Sequence, residues 1–381
     1  MIAGDALLDA FINANILLFV GLALWHAVRF AMRSFGLRRA FGTELRLLNA
    51  VFLAIACAPI IAMLFQQMQS TGVARGVNIN LSDAVVAYYL NGGFQMESSR
   101  FETLVLMRDN FILNVMAADG WIARTAIVLF LCGVALGLFR LAVSVVSLWT
   151  IVRHSYAWRK VGRVRLHLSD RTLVPFSTRG LRNYYIVLPS HLLAQQDELK
   201  VAIAHELQHI RQGDLEWEIV LEALKPLFIL NPAYSAWKRQ VEHLRELNCD
   251  SEVLSRGRIK ARTYCDTLLS VCQKTLRRDR TFVMAVPKVA LVTADRSDLF
   301  QRKQSFLERR ILTALDGRRP RAQKLWFACI ALPLLVTVSF VTIAIQTPGD
   351  WSHDRLMLST VVNLDRLDEI NRLSTFGRVR N

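Results

Sequence analysis

Four stretches of the chain stay apolar for longer than a soluble core helix needs. Residues 7–28 are interrupted only by Asp9, Asn13, Asn15 and His26, and residues 47–64 carry no charge. Residues 122–152 are broken only by Arg124 and Arg140, and residues 325–345 are uncharged. A helix needs roughly 20 such residues to cross about 30 Å of hydrocarbon, so each stretch reads as a transmembrane helix. Pro59 and Pro333 fall inside two of them and predict kinks. Arg124 and Arg140 lie near opposite ends of the third span, where long aliphatic stems let the charges reach the interfaces.

Between the spans the pattern changes period. Residues 66–120 place Phe101, Leu104, Leu106, Phe111 and Leu113 at helical spacing, which predicts short interfacial helices around Gly92 and Gly93. After the third span, 164–168 alternates, and 184–188 is β-branched and aromatic and closes on Pro189; both read as strands. Asp197 then stands where a helix N-cap is wanted, with the helix running through Ile210 and stopping at Gly213. Further helical patterns occupy 215–229, 233–255, 259–278 and 304–315, separated by Asn231-Pro232, Gly257 and Pro287. No repeat or low-complexity tract is present. The division that follows is a three-span region at 1–153 with an outer loop at 66–120, a folded domain at 154–323, a fourth span at 324–346 and a short tail at 347–381.

Composition agrees with lipid. Hydrophobic residues make up 53% of the chain and its mean hydropathy is +0.29, above the soluble range. Charge adds a direction. Segment 29–46 holds Arg29, Arg33, Arg38, Arg39 and Arg46 against Glu44 alone, and residues 151–324 hold 32 Lys and Arg against 18 Asp and Glu. The positive-inside rule puts both segments in the cytoplasm, and the N-terminus, the 66–120 loop and the tail outside. The first residues, with Asp5 and Asp9 where a signal peptide has basic charge, predict a first span that is retained. Cys57, Cys132 and Cys329 fall in spans, Cys249, Cys265 and Cys272 in the cytoplasmic segment, and no C-x-x-C occurs; neither a disulfide framework nor a cysteine-built zinc site is expected.

The candidate chemistry lies in VAIAHELQHIRQGD, residues 201–214. His205 and His209, one helical turn apart, can reach a single ion, with Glu206 beside them as a base. Two histidines leave a catalytic zinc one protein ligand short. RELNCD at 245–250 offers Glu246 as that ligand and Asp250, a turn later, as the carboxylate that accepts a ligand histidine's free N–H. Glu242 and His243 compete with Glu246 if the helix is rotated. A third histidine at the following turn is excluded, because 212 and 215 are Gln212 and Leu215. Asp214 either orients a ligand or caps the next helix, and Cys249 reads as a packed small residue. Tyr184, Tyr185, Tyr264 and His243 are open as oxyanion donors. A small sheet leading into such a helix is the order used by zinc peptidase domains. The fold class expected is therefore a multi-pass α-helical membrane protein of four transmembrane helices, with a cytoplasmic α+β zincin-like (gluzincin) metalloprotease domain.

With VPFSTRGLRNYYIVLPSHLL at 174–193, HELQHIRQGD at 205–214, NPAY at 231–234 and RELNCD at 245–250 in that order, the chain resembles the BlaR/MecR-type membrane zinc peptidases over about residues 1–345. The resemblance implies Zn2+ held by His205, His209 and Glu246, with Glu206 catalytic. It also implies a bacterial cell membrane and cleavage of a cytoplasmic transcriptional repressor, or of the chain itself, after an outside signal. Self-cleavage is expected in 280–322, and a second copy of the chain is a candidate partner. Sensors of this kind carry a penicillin-binding-protein-like domain after the last span, where this chain has about 35 residues. SAWK at 235–238 is the only S-x-x-K and no K-T-G follows it, so the signal is expected through the 66–120 loop, the tail or a partner. Prenyl-protein and stress-type membrane peptidases are the alternative within proteases. A non-catalytic basic binder of nucleic acid or anionic lipid is the alternative outside them. The basic surplus follows from topology and no nucleic-acid motif is present, so no direct nucleic-acid partner is expected.

Overall fold

The computed structural model describes residues 3–37, 39–72, 80–93, 95–118, 120–277, 289–290, 306–316, 323–345 and 353–376. The chain is mostly helical, with one small sheet. It opens with α1 (Ala3–Ser34), α2 (Phe41–Ala56) and α3 (Ala58–Ser70), continues through α4 (Leu81–Leu90) and α5 (Ser98–Ala117), and enters a long α6 (Gly120–Arg153). Strands β1 (Tyr156–Val161), β2 (Val164–Ser169), β3 (Phe176–Arg179) and β4 (Tyr184–Pro189) follow. Then come α7 (Gln196–Gln212), α8 (Asp214–Leu224), α9 (Pro232–Ser255), α10 (Ala261–Arg277), a two-residue β5 (Val289–Ala290), α11 (Phe306–Asp316), α12 (Gln323–Ala344) and α13 (His353–Phe376).

Among the described residues, three helices are long and apolar enough to cross a bilayer: Leu8–Ser34, Gly120–Arg153 and Leu325–Ala344. The predicted second span is two helices, α2 and α3, bent by 54° at Cys57. Pro59 enters at the start of α3, where its missing N–H costs nothing, so the apolar run bends instead of continuing straight. The pair makes a fourth crossing only if the two pieces count as one.

Two compact units emerge. The first gathers 1–25, 50–130 and 329–381. Here α4 and α5 flank Gly92 and Gly93, as the sequence pattern predicts. Of the apolar residues that suggested them, only Phe101 is buried; Leu104, Leu106, Phe111 and Leu113 face outward. Phe101 packs with Val86, Leu358 and Val362, so the tail read as a short extension carries a helix, α13, docked on α4 and α5. Ser98 donates to Asp365 across that contact. Arg108 of α5 donates to Asp9, to Asn13 Oδ1 at 2.8 Å and to the Ile345 carbonyl at 2.7 Å.

The second unit comprises 26–49 and 131–328. Its sheet runs β1-β2-β4-β3-β5, with β2 and β4 parallel and the other pairs antiparallel. β1 is exposed along its whole length, while β4 buries Ile186, Val187 and Leu188. Helix α7 starts one residue before the expected cap: Gln195 takes the N-cap position without a side-chain bond. Asp197 and Glu198 sit in the first turn, favourable against the helix dipole. Gly213 ends it at φ 74°, a conformation that favours glycine. The pattern at 215–229 gives a helix only to Leu224, because Pro226 cannot donate the next helical bond.

Candidate metal centre

Helix α7 is buried on both sides. Leu199, Ala202, Ile203, Leu207 and Ile210 pack on Leu166, Ile186, Leu188 and Leu192 of the sheet side. Val201 and Ala204 pack with Cys249, Val253, Tyr264 and Leu268 from α9 and α10. His205, Glu206 and His209 between these faces are 0% exposed. Burying three polar side chains in one helical turn is costly unless they have partners, so their partners reveal what the turn is for.

The two Nε2 atoms face each other at 3.1 Å. Glu246, on α9, brings Oε2 to 3.4 Å from His205 Nε2 and Oε1 to 3.6 Å from His209 Nε2. A tetrahedral ion with nitrogen and oxygen donors at about 2.0–2.2 Å separates those donors by about 3.3–3.6 Å. The remaining bonds supply a second test. His209 Nδ1 lies 2.7 Å from Asp214 Oδ2 and must donate to it. His205 Nδ1 lies 2.8 Å from the Tyr264 hydroxyl, which gives its own proton to Asp250 Oδ1. This network places a proton on Nδ1 in both rings and turns the two Nε2 atoms toward each other in a dry interior. Burial lowers the His205 pKa, but Glu246 and Asp250 outweigh it and raise it above the ordinary imidazole value, so this ring attracts a second proton, on Nε2 beside Glu246, in the place a cation would take. The donor set fits a divalent metal.

Glu206 completes the pattern. Neither of its carboxylate oxygens has a hydrogen-bond partner among the described residues. Burial pushes the Glu206 pKa up to about 7, against the lowering influence of His205 and the nearby Ser177 hydroxyl. Burial also raises Glu246, but Arg310 and the two histidines outweigh it and hold that carboxyl down at about 2. His209 is kept well below the ordinary imidazole range, chiefly by burial, which favours the neutral form that metal binding needs.

Other donors lie close. His205, His209 and Cys249 could group around an ion, as could His205, Glu246 and Asp250. Cys249 and Asp250 approach the Nδ1 edge of His205, at 3.5 Å each, on the side away from His209. Burial raises the Cys249 thiol well above its usual range. The competitors from sequence fall elsewhere: Glu242 pairs with Lys238, and His243 stacks on Phe306 at 4.3 Å. Among the tyrosines, Tyr184 donates to Glu216 and Tyr264 is spent between His205 and Asp250. Asp214, left between two roles by the sequence, takes the His209 N–H while opening α8.

Two contacts were not foreseen. Asp250 does not take the histidine proton by itself; Tyr264 stands between them. Arg310 of α11 grips Asp250 with two bonds of 2.7 Å and reaches Glu246 Oε2 at 3.2 Å. It lies 60 residues beyond Asp250 in a run rich in arginine, so no local spacing marks it. Below the centre, Arg245 donates to Glu218 at 2.7 Å, and Lys238 pairs with Glu218, Glu222 and Glu242. That cluster absorbs the lysine of SAWK and locks α8 to α9. Replacing Glu218 with Ala leaves Arg245 a buried charge short of its partner. Unfolding by denaturant should show a loss of about 3–5 kcal/mol; a loss under 1 kcal/mol would contradict this reading.

No curated protein matches the chain. The family model described as BlaR1 peptidase M56 matches residues 10–293, about three quarters of the sequence, from within α1 through β5 and including all the residues that surround the two histidines except Arg310. The chain therefore belongs to the BlaR1 peptidase M56 family.

Proposed function

We propose that the protein is a membrane-embedded zinc endopeptidase, with four crossings, a zincin-type domain on the cytoplasmic side and both termini outside. The observation that carries this reading is the meeting of the two Nε2 atoms, at 3.1 Å, with Glu246, next to the buried Glu206 carboxylate, whose oxygens have no hydrogen-bond partner among the described residues. His205, His209 and Glu246 would hold the ion, oriented by Tyr264, Asp214 and Asp250. A zinc ion there supplies a Lewis acid for a peptide carbonyl and for water. Glu206, poised near neutrality, accepts the proton of the attacking water and returns it to the leaving amine nitrogen. The dry packing of α7 keeps that proton from bulk solvent.

The expected substrates are a cytoplasmic repressor and the chain itself; a homodimer would let one copy present the peptide to another. Much of 280–322 lies outside the described residues, but 289–290 pair antiparallel with β3, Val289 opposite Ser177 and Ala290 opposite Phe176. Ser177 neighbours Glu206, so this backbone runs along the sheet edge as an extended substrate would. Mass spectrometry of the protein from active cells should find new termini within 280–322, and none in a Glu206→Gln variant; an intact chain in both would rule self-cleavage out. The zinc reading has its own test. Purified protein should carry one zinc per chain, and His209→Ala should lose it; metal-free wild type after purification without chelator would overturn the assignment.

A further inference from the structure

We propose that residues 226–230, which join α8 to α9, are a wedge inserted among the lipid acyl chains, so that the peptidase domain is seated in the bilayer and not merely tethered to it. The inference rests on α6 crossing the membrane. Pro226, Leu227, Phe228, Ile229 and Leu230 form an uninterrupted apolar run between Lys225 and Asn231. Leu227 and Leu230 are 44% and 65% exposed, and Ile219 and Val220 on the preceding turns of α8 are 49% and 43% exposed. Four large apolar side chains facing outward on one stretch would be a liability in water.

The partner is identified by what the run touches. A Cβ on Gly137 of α6 would lie 2.9 Å from Pro226 Cα, and one on Gly133 would lie 3.1 Å from Ile229 Cγ2. The two glycines stand one turn apart on one face and admit the turn against the helix backbone, as small residues do between membrane helices. Gly137 is near the middle of α6, a helix of 34 residues. Whichever 20 consecutive residues of α6 lie in hydrocarbon, Gly137 is among them, and Pro226 is beside it. A loop at that depth must satisfy its own backbone. Part of that requirement is met locally: Pro226 has no N–H, Leu227 and Phe228 donate to the Leu224 carbonyl at 3.1 and 3.3 Å, and Asn231 donates to Phe228 at 2.9 Å.

The placement bears on which peptides can be cut. Helix α8 has 11 residues, about 16 Å, between Asp214 at the candidate centre and the wedge. The next helix carries Glu246. Both connections hold the centre close to the membrane surface, favouring peptide segments that lie against the bilayer.

Full-length protein in phosphatidylcholine vesicles, carrying a photoactivatable diazirine in the lipid acyl chain, tests this by mass spectrometry of the labelled peptides. Adducts are expected on 226–230 as well as on α6, and a Gly137→Leu variant should lose the former several-fold while keeping the latter. Labelling of α6 without 226–230, or labelling of 226–230 by a water-soluble diazirine, overturns the wedge alone. An unlabelled α6 overturns the membrane reading together with it.

Discussion

Replacing Glu206 with Gln should lower proteolysis by about 10²–10⁴-fold while zinc content stays near that of the wild type. The isosteric amide keeps the size and burial of the side chain but cannot take a proton. It also relieves the cost of burying a carboxylate that has no hydrogen-bond partner, so the variant should unfold no more easily than the wild type. Three measurements separate the readings: turnover on a repressor-derived or autologous substrate, metal per chain, and the unfolding midpoint. Loss of turnover with metal retained is the expected pattern. Turnover within a few-fold of wild type would remove Glu206 from the chemistry and leave the basic domain as a binding module.

Arg310→Met should cost about 3–5 kcal/mol of stability in the metal-free protein, because it strands two buried carboxylates that shared one cation. With zinc bound the loss should be smaller, since the ion supplies positive charge beside Glu246. Denaturant unfolding with and without saturating zinc measures the difference. Equal losses in both states would mean that Arg310 acts only through Asp250 and that Glu246 does not face the ion. Metal affinity should fall by about 10–100-fold, the usual effect of disturbing groups that orient ligands.

Much of this protein was legible without coordinates. The apolar runs, the break at Pro59 and the strand-to-helix order at 164–213 are local consequences of side-chain pattern, and α1, α6, α12, β2, β4 and α7 follow them closely, although α12 runs unbroken through Pro333. The spacing within HELQH, and within RELNCD, was legible in the same way, because residues one turn apart share a helix face. Periodicity could not show which way Glu242 and Glu246 turn; that depends on the packing of α9 against α7, which sends Glu246 to the histidines and Glu242 to Lys238. Nor could it show the docking of α13 on α4 and α5, or why most of the apolar residues of α5 face outward.

The sequence by itself determined the long apolar helices α1, α6 and α12, the strands β2 and β4, the helix α7, and which short motifs could bind a metal, because each is encoded within a few neighbouring residues. Only the tertiary structure decided that Tyr264 intervenes between His205 and Asp250, that Arg310 neutralises two carboxylates of a helix far back in the chain, and that Gly137 admits Pro226. Those contacts join residues distant along the chain, and their energy comes from desolvation and close packing. Neither leaves a periodic trace in the order of amino acids.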